Sequence, residues 1–196
     1  MRAAALLASV LALCCCGGDA IRTAESADAG VDAAAEAAVD AAPDADDPAF
    51  TGPSTCTSGR VGTNQVGFDM LPGQACNACH RTRAMRFLMG FAGTVYPTGH
   101  EPDTCVGVDG EARGTRVVVT DAKGQELVLS VRASGNFAAL RSEPSVTRLT
   151  GPFGIRVEEG GRVRRMQRTL VAGEGDCNGC HTEQGTNGAP GRIVAP

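Results

Sequence analysis

Two short patterns, Cys76-Asn77-Ala78-Cys79-His80 and Cys177-Asn178-Gly179-Cys180-His181, constrain this chain more than anything else in its sequence. Each sets two thiols three residues apart and puts an imidazole directly after the second, in a chain with only three histidines. Packing bulk is otherwise scarce: Trp is absent and Tyr occurs once, while Gly supplies 26 of the 196 residues. A core made by such a chain is short of aromatic side chains, and a bulky buried group held at the two patterns would supply what they lack.

C-x-x-C-H is the attachment signature of c-type haem, in which the two thiols add to vinyl groups and the adjacent His binds iron from the proximal side. The expectation is therefore two covalently bound haem c groups, one on Cys76 and Cys79 with His80 as proximal ligand, the other on Cys177 and Cys180 with His181. A zinc ribbon would use the same four cysteines as tetrahedral thiolates, and a thioredoxin-like pair would use one C-x-x-C at the start of a helix after a buried strand. Both pairs are followed at once by His, stand far apart in the chain and follow no recognisable buried strand, which favours haem over either alternative.

Residues 1–18 read as an export signal, with Arg2 as a basic start and Ala3 to Leu13 as an apolar run too short for a permanent membrane span. The following Leu11-Ala12-Leu13-Cys14-Cys15-Cys16-Gly17-Gly18 resembles a bacterial lipobox. Cys14 is preceded by Leu13 rather than a small residue, and Cys16, after Cys15, fits about as well, so both are lipidation candidates, with plain cleavage and secretion as the alternative. The chain is expected in the cell envelope, anchored to a membrane by lipid and facing the periplasm or the cell exterior. In that oxidising setting Cys56 and Cys105, left over from leader and motifs, are expected to form a disulfide rather than stay as unrelated thiols.

Residues 19–50 are mostly Ala and Asp with some Glu, offering little but methyl groups to bury, so they read as a disordered tether. From Pro48 onward 16 basic face 13 acidic side chains, although the whole chain carries −4. Nearly all of that positive charge is Arg, including Arg81, Arg83, Arg86, Arg162, Arg164, Arg165 and Arg168. Such a run can signal nucleic acid. In an exported chain with so small an excess, the four propionates of two haems are the better partners and nucleic acid is not expected.

Residues 51–92 form the first haem segment, with a helix expected from Cys76 to Phe91, ended by Gly90 and Gly93. From Gly93 the period becomes two. Thr115 to Thr120 and Glu126 to Val131 flank the turn Asp121-Ala122-Lys123-Gly124, Ser134-Gly135-Asn136-Phe137 turns into a further strand, and Gly154 to Val157 with Arg162 to Met166 makes a second hairpin. Short strands at this spacing predict a β-sandwich over residues 93–172, leaving 173–196 as the second haem segment.

The segment from Gly93 to Val171 carries a V-x-V-x-D-x-x-G hairpin at Val117 to Gly124 and the S-G-N-F turn at Ser134. It resembles the small prealbumin-like or carboxypeptidase-regulatory-like β-sandwich. The motif-bearing ends resemble bacterial c-type cytochromes, and the whole is similar to small dihaem c-type cytochromes of lipoprotein type. The resemblance implies a mainly β fold, a small antiparallel β-sandwich flanked by two short helical or loop haem-attachment segments.

For the distal iron ligands the inventory is short. His100, in a loop without apolar periodicity, and Met166, shortly before the second motif, are the candidates, with Met70 behind them; Met85 and Met89 follow His80 too closely to reach the opposite face of the same haem. The function expected is electron transfer with redox partner proteins, the chain being a carrier rather than a catalyst, since no other catalytic set can be assembled from three histidines. An open iron site would instead make a haem enzyme or a gas or redox sensor of peroxidase-like kind. A third possibility is a sandwich that binds a partner and merely carries haems.

Overall fold

The computed structural model describes residues 47–63, 67 and 69–196. The expected export leader, its lipidation candidates Cys14 and Cys16, and residues 19–46 of the expected tether lie outside the described residues. The four described residues at the end of that tether pack on the body: Pro48–Phe50 is a 3₁₀ turn capped by the Asp47 carboxylate, and Asp47 pairs with Arg164 at 2.6 Å.

The chain is mainly β, in two sheets. The smaller has the order β4 (Asn136–Leu140), β1 (Met89–Tyr96), β7 (Ile193–Val194). The larger has the order β3 (Glu126–Ser130), β2 (Arg116–Thr120), β5 (Gly154–Glu159), β6 (Arg162–Arg165). The β2–β3 hairpin pairs Arg116 with Ser130 through Thr120 with Glu126, and the Asp121 carboxylate closes its turn by accepting the N–H groups of Lys123 and Gln125 at 2.8 Å each. In β3 the alternation is strict: Leu127 and Leu129 are buried while Val128 faces water. β6 is an edge strand carrying Arg162, Arg164 and Arg165, charges that discourage pairing with another chain. The core lies between the sheets, with Phe91, Val95, Phe137 and Ala139 meeting Val117, Val119, Leu127, Leu129 and Val157.

Two expectations are corrected. The helix expected to run from Cys76 to Phe91 ends at Arg83 (α1, Cys76–Arg83), a 3₁₀ turn covers Met85–Phe87, and β1 begins at Met89, so Gly90 and Gly93 lie inside a strand. The reason is tertiary: the buried Asn77 side chain exchanges two hydrogen bonds with the backbone of Met89 (3.0 and 2.8 Å), which turns the chain back across the helix. The sheets also do not stop at residue 172. β7 follows the second motif and pairs parallel with β1, Val95 opposite Ile193 and Tyr96 opposite Val194, two residues too few for any alternation to show.

Residues 91–96 of β1 are buried along their whole length. One face meets the sandwich core; the other is covered by the two motif-bearing segments.

Candidate haem sites

The first motif forms most of α1. Ala75, at the helix N-cap, offers no side-chain acceptor. The Asp176 carboxylate takes that place from a hundred residues away, accepting the N–H of Cys76 at 3.1 Å and of Asn77 at 2.7 Å. His80 sits in the last turn of the helix with Nδ1 2.6 Å from the Phe87 carbonyl, so Nδ1 donates there and Nε2 is the nitrogen outside that bond. The surroundings are open: Cys79 is exposed, as are Arg81, Arg83 and Arg86, and Met85 and Phe87 are 70% and 42% exposed.

The second motif begins as a 3₁₀ turn, Cys177–Gly179, laid directly on β1. Ala92 donates to the Gly175 carbonyl at 2.8 Å and bridges in parallel to Asp176. This approach leaves no room for side chains: a Cβ on Gly93 would fall 2.8 Å from the Phe137 ring and 3.1 Å from Cβ of Cys177. The Asn178 amide accepts from Thr94 N–H at 3.0 Å and donates to Thr94 Oγ1 and the Gln74 carbonyl. His181 donates Nδ1 to the Gly191 carbonyl at 2.9 Å, again leaving Nε2 as the lone-pair nitrogen. Burial holds its pKa below the usual range, against the opposing effect of the hydrogen bond it donates to Gly191, and so favours the neutral ring. The next residue, Arg192, is fully buried; it donates to the carbonyls of Glu101, Gly73 and His181 and pairs with Asp103 at 2.5 Å.

A groove of about 760 Å³ opens beside Cys177, Cys180 and His181, within the roughly 300–1,000 Å³ typical of small-molecule and cofactor sites. Its floor is the sandwich core itself, at Val117, Phe137 and Val157, and its walls include Met166 and the arginines of β6. The groove is where the core lacks side-chain bulk, and a flat macrocycle held by Cys177 and Cys180 fits its lining: apolar below, cationic at the rim for carboxylates.

The thiols themselves argue against the other uses of C-x-x-C. Burial, aided by the Asp176 charge, pushes Cys76 up to about 12, and burial, then Asp176 and then Cys76, pushes Cys177 up to about 12. A redox-active pair needs the opposite shift. For zinc, donor atoms must converge, and among the described residues the one group of three that does is Cys56, Glu101 and Cys105. There the two sulfurs are joined in a disulfide with Cα atoms 5.6 Å apart, so Cys56 and Cys105 are paired.

His100 is tied to two backbone carbonyls. Its Nδ1 lies 2.7 Å from the Glu183 carbonyl and its Nε2 2.8 Å from the Phe50 carbonyl, so both nitrogens are engaged and coordination of iron would require one of these bonds to break. Met166 and His181 line one groove. The residues that join the motifs, Asp176, Thr94 and Arg192, carry no pattern that marks them in the sequence; Asn77 and Asn178 do, as the shared second residue of both pentapeptides. No family model, no curated protein and no solved structure matches this chain.

Proposed function

We propose that the chain is an exported, lipid-anchored dihaem c-type cytochrome that transfers electrons, with haem c on Cys76 and Cys79 and on Cys177 and Cys180. The observation that carries this reading is the treatment of the two motif histidines. Each donates Nδ1 to a backbone carbonyl of the loop that follows, Phe87 for His80 and Gly191 for His181, and so presents Nε2 for a metal. The two loops share no sequence, yet both arrive at the orientation an iron ligand requires. The groove beside Cys177, Cys180 and His181, and four motif cysteines that are all free of disulfides, support the same reading. When bound, haem supplies one-electron chemistry; the chain's part is to fix the rings, exclude water from the second site and neutralise propionates with arginine.

The test is the mass of the mature protein made in a host with a haem-attachment system. Two haem increments are expected, and one of them should vanish in the Cys177→Ala, Cys180→Ala double variant. One increment or none in the unsubstituted protein would refute the proposal.

A haem enzyme or gas sensor has one observation in its favour: both ring nitrogens of His100 are engaged by carbonyls, and the candidate Met166 lines the groove of the second motif, not the first. Carbon monoxide distinguishes the two readings. A carrier with both irons six-coordinate leaves the reduced spectrum unchanged, whereas an open first site shifts half of the Soret band.

A further inference from the structure

The second attachment segment reaches into the first. An α-helix leaves its first N–H groups without partners, and α1 has eight residues, too few to be stable alone. Its N-cap residue, Ala75, cannot supply an acceptor, and the two acceptor bonds it receives come from Asp176, the residue immediately before Cys177. A carboxylate at that end also complements the helix dipole. The two motif asparagines extend the connection: Asn77 is bonded to Met89 and Asn178 to Thr94, both on β1. Five residues of strand separate those anchors by roughly 16 Å. Thr94 closes the assembly, since its hydroxyl accepts the N–H of Gly73 at 2.8 Å, three residues before the first motif, and donates to Asn136 of β4.

We infer that Asp176 is a positioning residue for the first haem: the segment that bears the second motif supplies the N-terminal cap of the helix that bears the first, and both are indexed to strand β1. This rests on the dihaem reading above. It means that the orientation of the haem at His80 depends on a side chain in the other attachment segment, and that the two sites behave as one unit rather than as two sites at opposite ends of the sandwich.

The experiment uses the full chain with Cys177→Ala and Cys180→Ala, so that a single haem remains, on Cys76 and Cys79, and every signal belongs to it. Asp176→Asn in that background should shift the reduction potential upward, because a carboxylate at the N-terminus of the helix that carries His80 is lost, and should also change the electron paramagnetic resonance g values and the Soret circular dichroism that would report ring orientation. Asp176→Glu should restore the orientation signals in part. Asn178→Ala, which frees the second segment from Thr94 while leaving its carboxylate in place, should move the orientation signals too, and it serves where the Asp176 variants fail to fold. Unchanged g values and Soret dichroism in Asp176→Asn, or in Asn178→Ala where the former does not fold, would overturn the inference. Haem count is read separately from mass: an unsubstituted protein without two increments overturns the dihaem reading and this inference with it, whereas two increments with unmoved spectra overturn this inference alone.

Discussion

The two C-x-x-C-H segments share four of five residues and differ in almost everything around them. The first is a regular turn of helix on the surface, with Cys79 exposed and Met85 and Phe87 in water. The second is a tight 3₁₀ turn pressed on a strand, with Cys177 and Asn178 buried and a groove beside it that reaches the sandwich core. What is the same in both is the local chemistry, from the spacing of the thiols to the Nδ1 bond of the histidine. What differs is burial, and burial is supplied by distant elements: Gly93 on β1, the β5–β6 hairpin and Arg192. The groove at the second motif is backed by the sandwich core, whereas the first motif is bordered by the exposed Arg81 and Arg83 of α1.

The largest way to break this contrast is Arg192→Ala. It removes a buried guanidinium, strands three carbonyls and leaves a cavity, while the exposed Asp103 can turn to water, and should lower stability by about 3–5 kcal/mol. Denaturant unfolding measures the loss, and on the proposed dihaem reading the spectrum belonging to His181 should change more than that belonging to His80, because Arg192 holds the His181 carbonyl directly. Gly93→Ala comes next. Its new methyl meets Phe137 and Cys177, so overpacking should cost about 1–3 kcal/mol and lift the second motif off β1. Equal disturbance of both sites would show that the second motif does not own its burial through that contact.

The asparagines sharpen the comparison further. Asn178 makes three hydrogen bonds and Asn77 two, and both are buried, so each change to Ala should cost about 1–3 kcal/mol, with Asn178→Ala the more severe by thermal unfolding. A milder effect of Asn178→Ala would place the tighter anchor at the first motif instead. The smallest effect concerns pH. The hydrogen bond from Arg164 holds Asp47 below its ordinary 3.8, so Asp47 binds its proton more readily in the unfolded chain than in the folded one. Its contribution is present above pH 3.8 and is lost as pH falls through the lower folded value. Asp47→Asn should therefore flatten the acid limb of the stability curve slightly, and only the groove side of the molecule should feel it, since Asp47 lines that groove. An acid limb identical to that of the unsubstituted protein would remove residues 47–50 from the account of the second site.

Much of the β architecture was legible in advance, because hairpins are local. The Val117 to Gly124 pattern, the alternation of Leu127 and Leu129, and the Gly160-Gly161 turn each write a strand pair within a dozen residues. The helix end was not legible, since it is decided by Asn77 reaching Met89 rather than by any breaker in between. β7 was invisible because two residues hold no period.

By itself, the sequence determined the residue content of each C-x-x-C-H segment, since thiols and imidazole at positions one, four and five of a pentapeptide need no distant partner to be recognised, and it determined the strands whose pairing is local. Only the tertiary structure decided that the two segments share one strand, that Asp176 caps the helix of the first motif, that His100 is tied to Phe50 and Glu183, and that one site is open while the other borders the core. Those relations join residues roughly 50 to 100 positions apart through single hydrogen bonds and close backbone contacts, and such contacts leave no period, no spacing and no compositional trace in the chain that makes them.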